Sequence, residues 1–149
     1  MSRIQCSLAL LVCALVLMSP GSSRSAEVVE FLVIAHPSAG VDTLTRQELA
    51  HFFLKKTTRW ESGTEVLPVD LPEDSAVRVA FSEEILQRSL PAVRAWWQQR
   101  IFSGRGVPPV VMETTDQVVD FVRSTPGAVA YVDAGADVQG VAVLVVADP

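Results

Sequence analysis

Eight consecutive residues, Val28 to Ala35 (VVEFLVIA), contain one polar side chain, Glu30, and are rich in branched aliphatics. Such a run suits a strand buried on both faces of a sheet, because a half-exposed strand would alternate polar and apolar positions. A sheet buried on both faces needs helices over it, and the segments that follow supply them. His36-Pro37-Ser38-Ala39-Gly40-Val41 reads as a turn, and Thr45-Arg46-Gln47-Glu48 then matches the capping box that opens a helix. Leu49, Phe52 and Phe53 follow at i, i+3 and i+4 as its inner face.

The rest of the chain keeps this alternation. Ser62-Gly63-Thr64 is a turn, and Glu65 to Val69 is a second strand whose Pro68 favours an end or edge position. Asp70 to Ser75 reads as a loop, with Asp74 or Ser75 as N-cap of a helix carrying Val77, Phe81 and Ile85 one turn apart. On that spacing Arg78, Glu83 and Glu84 fall mostly on other faces. Ser89-Leu90-Pro91 opens a further helix with Val93, Trp96, Trp97 and Ile101 as its apolar side, ended by Ser103-Gly104-Arg105-Gly106. Val110 to Met112 is a short strand. Thr114 or Thr115 caps a helix carrying Val118, Phe121 and Val122, which Thr125-Pro126-Gly127 stops. Two strands close the chain, Ala128 to Val132 and Val141 to Val146. The expected fold is an α/β domain of three-layer type, a mixed sheet flanked by helices.

Residues 1–26 stand apart from this pattern. Arg3, the eleven-residue apolar run Leu8 to Met18, and the break Pro20-Gly21-Ser22-Ser23 have the build of a secretory signal peptide, and the run is short for a membrane span. Cleavage is expected between Ser23 and Glu27, after Ser23, Ser25 or Ala26. It removes both cysteines, Cys6 and Cys13, so the single domain expected over residues 27–149 has no disulfide and no thiolate metal site. A chain of that size can bury about two-thirds of its surface, enough for a core. Of the twelve Lys and Arg residues, Arg3 and Arg24 leave while all seventeen acids stay, giving a mature net charge of −7. That balance excludes nucleic acid and anionic membrane as expected partners, and any bound anion must be held by a local cluster.

Catalytic signatures are absent from the sequence. It holds no G-x-S-x-G, P-loop or dinucleotide fingerprint, and the only histidines, His36 and His51, have no cysteine or carboxylate cluster near them in sequence, so no metal, no cofactor and no enzyme activity are expected. Asp70, Glu73 and Asp74 read more simply as a solvated turn than as an acid/base group. His36 lies at the C-terminal end of a buried strand, where open α/β sheets bind ligands. The better candidate is the helix start at Ser75. Free backbone N–H groups and the helix dipole can hold an anion there, Ser75, Ala76 and Val77 offering hydroxyl and backbone donors, with charge added by Arg78 and by Arg105 between its two glycines. A plain N-cap with Arg78 in solvent is the competing reading. On either, Arg78→Ala is expected to cost little stability. Trp96 and Trp97, adjacent on a helix, cannot share one face, so one belongs to the core and the other to a rim or interface.

Three ordered pieces then carry a resemblance: FLVIAHPSAGVDTLTRQELAHFFLKKTTRW (Phe31 to Trp60), VLPVDLPEDSAVRVAF (Val66 to Phe81) and TPGAVAYVDA (Thr125 to Ala134). From about Glu30 to Val146 the chain resembles the C-terminal part of the phosphate-binding proteins of bacterial ABC transporters, in the type II periplasmic binding protein superfamily. It looks most like their short single-domain members. The resemblance implies a truncated, lobe-like binding module in the periplasm, a phosphate-like oxyanion as ligand and a membrane-protein partner. The family's binding segment reads as an arginine followed by a Ser-Gly-Thr run. Here Ser75-Ala76-Val77 stands there with the serine kept, and Asp70, Leu71 and Pro72 stand where the arginine is expected. The alternative is an interaction protein whose ligand cleft is gone and whose anchor is Trp60, Trp96 or Trp97.

Overall fold

The computed structural model describes residues 28–148, and the expected signal peptide lies outside the described residues. The apolar run becomes strand β1, Phe31–Ala35. After it come β2 (Thr43–Thr45), α1 (Arg46–Phe53), β3 (Leu67–Asp70), α2 (Ala76–Glu84), α3 (Leu90–Phe102), β4 (Val110–Val111), α4 (Thr115–Ser124), β5 (Ala128–Asp133) and β6 (Ala142–Ala147). The six strands form one mixed sheet in the order β2-β6-β1-β5-β3-β4. β1 lies antiparallel between β5 and β6, whereas β3 runs parallel to β5 and β4, and β2 runs parallel to β6.

The central place of β1 explains its composition. Its register pairs Val33 with Tyr131 and Ala35 with Val129, so by strand alternation these four share one face. α1 and α2 cover that face, bringing the rings of Phe53 and Phe81 to 5.6 and 3.8 Å from the Tyr131 ring. The Phe81–Tyr131 stack contributes about 1 kcal/mol beyond its burial. On the opposite face Ile34, Ala130 and Val132 are fully buried. The parallel strands show what covers them. Right-handed crossovers from β3 to β4, and from β4 back across β3 to β5, put α2 and α3 on one side and α4 on the other. The α/β three-layer arrangement expected from the sequence is the observed one.

Local signals set most element boundaries. Thr45 and Glu48 close the expected capping box: Thr45 N–H donates to the Glu48 carboxylate at 2.8 Å and Glu48 N–H to the Thr45 hydroxyl at 3.2 Å. The Thr45 N–H and, at 2.7 Å, the Thr45 hydroxyl donate to the Glu48 carboxylate and hold it below its ordinary range. Thr114, not Thr115, caps α4. Gly127 (φ +85°) ends the turn before β5 where a Cβ would stand 2.1 Å from the Glu65 carbonyl oxygen, so only glycine fits.

Two features, β2 and the apolar side of α3, differ from the sequence reading, while Pro68 takes the strand-end position it allows. β2 was not expected, because its three residues are a strand only through pairing with β6. Pro68 lies at the start of β3, but the strand is internal. Leu67 N–H donates to the Gly127 carbonyl just before β5, so the Pro68 nitrogen faces the other side, where β4 pairs only from Val69 onward. On α3, Val93 and Trp97 are buried while Trp96 is half-buried and Ile101 is exposed.

Candidate functional site

Strands β3 and β4 are neighbours, yet their chains leave toward opposite faces, β3 into α2 and β4 into α4. Their C-terminal ends, at Asp70 and Val111, therefore flank a topological switch point, the place where open α/β sheets bind ligands. α2 starts there. Ser75 is extended (φ −72°, ψ 126°) and its hydroxyl accepts from the Arg78 N–H at 3.3 Å, the usual N-cap bond. The N–H groups of Ala76 and Val77 have no acceptor within the described chain.

Arg78 is directed inward. It shares the inner face of α2 with Phe81 and Ser82, three and four residues on, and its guanidinium pairs with Asp70; the two are 7% and 6% exposed. The Tyr131 hydroxyl donates to the Asp70 carboxylate, Leu71 N–H donates to it at 3.2 Å, and Arg78 Nη1 also reaches the Leu71 carbonyl at 3.5 Å. Desolvation lowers the pKa of Arg78 and pushes Tyr131 up to about 12. Arg78 stays cationic, but its charge is spent on Asp70. Asp70 is thus a buried strand end, not part of a solvated loop. The apolar Val66 to Val69 run leading into it, and the i, i+3 spacing of Arg78 to Phe81, were the signals for this burial.

A cleft of about 330 Å³ opens between β3, β4 and α3, with Asp70 and Arg78 in its floor and Trp97, Ile101 and Val111 in its walls. Glu73 and Arg94 pair at its margin, and that bond holds the Glu73 carboxyl below its ordinary range. Every charged side chain lining the cleft is thus neutralised by a neighbour. Arg105 does not line it: the residue is exposed beyond the end of α3, its carbonyl accepting from Arg100 Nη2 at 2.9 Å. The structure gathers Ser75, Ala76, Val77 and Arg78 at one helix start and leaves Arg105 elsewhere.

His36 caps a short turn, Pro37–Ala39, with Nδ1 accepting from Ser38 N–H at 3.0 Å. Because β1 runs opposite to β5, and β5 runs with β3, His36 sits at the sheet end away from the switch point. Among the described residues, no three His, Cys, Asp or Glu side chains are grouped to hold a metal ion, and no helix is long and apolar enough to cross a membrane.

No protein-family model and no curated protein matches the sequence. Solved structures do share the fold. An ABC-type phosphate transport receptor from Vibrio cholerae superposes with a TM-score of 0.61 at 15% identity, over 78% of this chain and 45% of the other. PstS from Borrelia burgdorferi gives 0.62 at 12% identity, over 79% and 47%. A phosphate ABC transporter substrate-binding protein with bound phosphate, from Clostridium perfringens, gives 0.60 at 17% identity, over 80% and 45%. The chain spans less than half the length of each of these proteins, and its fold is that of the part it covers.

Proposed function

We propose that this chain is a secreted, non-enzymatic module of the periplasmic solute-binding-protein type, one domain over residues 27–149 behind a signal peptide at 1–26, and that it receives a small phosphate-like oxyanion at the start of α2. The observation that carries this reading is the pair of unclaimed N–H groups on Ala76 and Val77 at the switch point. The helix dipole adds about half a positive charge there. The fold shared with phosphate receptors supports the same reading. Since Arg78 is neutralised by Asp70 and Arg105 lies apart, the site offers hydrogen bonds with little net charge. The expected affinity is therefore in the millimolar range, about −4 kcal/mol.

Calorimetric titration of the purified protein with phosphate and then sulfate, at low ionic strength, tests this. Ala76→Pro is the informative variant. Proline is tolerated at the first helical position, and Ser75 already has the extended backbone that a residue before proline needs, so one donor is removed at little cost in stability. Weaker binding in the variant is the expected result. Equal affinity removes the α2 start from the site, and no heat up to about 10 mM ligand removes the oxyanion altogether.

A second reading, an interaction or structural protein that pairs with a membrane or periplasmic partner, is favoured by a different observation. Phe102 is 90% exposed at the end of α3, and Ile101, Val107, Val110 and Val111 are exposed with it. Trp60 and Trp97 are buried, so the anchor on this reading is Phe102. Sedimentation of wild type and Phe102→Ser distinguishes the two: self-association or partner capture lost in the variant supports pairing through this end of α3.

A further inference from the structure

The cations of this acidic chain are unevenly used. Arg78, Arg94 and Arg123 each pair with a carboxylate, and Arg46 lies 3.9 Å from Asp148. Lys56, Arg88 and Arg100 have no carboxylate partner among the described residues, yet they converge on one ring, their charged groups 5.6, 5.2 and 5.3 Å from the centroid of Trp96. The indole offsets part of their mutual repulsion, since its electron-rich face attracts cations. It does not supply an acceptor. Trp96 Nε1 and Arg100 Nε are both buried without a hydrogen-bond partner. Lys56 and Arg88 also line a cleft of about 280 Å³ with Arg46 and His51, and no carboxylate lines that cleft.

A cleft that gathers cationic donors and no carboxylate is suited to an anion. Arginine forks match phosphate and carboxylate oxygens. Lys56 and Arg88 together exceed what a single monoanion neutralises. We propose that the cleft lined by Arg46, His51, Lys56 and Arg88 binds a small soluble oligoanion with clustered phosphate groups, at a site distinct from the α2 start. Lys56 and Arg88 hold its charge, and the Trp96 ring that both cations approach lies beside them.

Tripolyphosphate is the probe, titrated into the purified protein by calorimetry and by tryptophan emission, because Trp60 and Trp97 are buried and Trp96 is the half-exposed indole. The expected result is saturable binding that weakens at least about tenfold, or about 1.4 kcal/mol, in the Lys56→Gln/Arg88→Gln double variant. Arg59→Gln, a surface control, and Ala76→Pro, which addresses the α2 start, are expected to leave it unchanged. Vesicles of phosphatidylglycerol form the second arm: binding to vesicles alone, lost in the double variant, assigns the anion to a lipid headgroup. Binding to neither probe, or equal binding by wild type and double variant, overturns the proposal. Equal thermal unfolding of the two proteins shows that lost binding is not lost folding.

Discussion

Arg78 on α2 and Arg100 on α3 carry the same guanidinium into different surroundings. Arg78 is buried against Asp70, with Tyr131 completing the carboxylate's bonds. Arg100 lies half-buried against an indole, with no carboxylate at hand among the described residues. The difference is one of solvation. A buried charge costs several kcal/mol unless paired, so α2 can turn Arg78 inward only because β3 ends in Asp70. At the surface, water and the Trp96 ring stabilise Lys56, Arg88 and Arg100 well enough for them to stay unpaired. The first arginine is committed to the fold, and the second group is free to meet a ligand.

The largest effect is expected where that commitment is broken. Arg78→Ala leaves Asp70 buried without its counter-ion and should lower unfolding free energy by about 3–5 kcal/mol in urea titrations. This replaces the expectation, drawn from helical spacing, that the substitution costs little. The double variant Asp70→Asn/Arg78→Met, which leaves no buried charge, should recover most of the loss. A loss below about 1 kcal/mol for Arg78→Ala would show the pair to be solvated after all.

Next in size is an alkaline effect. Tyr131 ionises at about 12 when folded, against 10.0 for an exposed tyrosine. Above pH 10 the unfolded chain loses that proton while the folded chain keeps it, so stability falls as pH rises from 10 to 12, by about 2–3 kcal/mol. Tyr131→Phe should flatten this limb of the stability profile. An unchanged limb would separate the tyrosine from the alkaline loss.

The smallest effect is expected at the other region. Arg88→Gln should change thermal stability by no more than about 0.5 kcal/mol in either direction, because it removes one of three mutually repelling surface charges. A cost above about 1.5 kcal/mol would mean that Arg88 is a structural residue like Arg78, and the contrast between the two regions would disappear.

Much of the frame was legible because it depends on near neighbours in the chain. The Thr45–Glu48 box, the Ser75 cap and the Thr125-Pro126-Gly127 stop each act within four residues, and the apolar run at β1 announces two-sided burial wherever it lies. The candidate site was legible only in part. The position of the α2 start follows from capping chemistry, but the partner of Arg78 is supplied by β3 and β5, eight residues back and 53 ahead in sequence numbering, and no local pattern links them. The Trp96 cluster was missed for the same reason. Lys56 follows α1, Arg88 precedes α3, and only the packing of the helices brings them to one ring.

The sequence by itself determined the layer type, these helix starts to within a residue and the strand buried on both faces, since these follow from hydrophobic period and from bonds between neighbouring residues. Tertiary structure alone decided which charges are neutralised. The energy of a charge depends on burial and on partners distant in the chain, and these exist only once the sheet has set its strand order and the helices have closed over it.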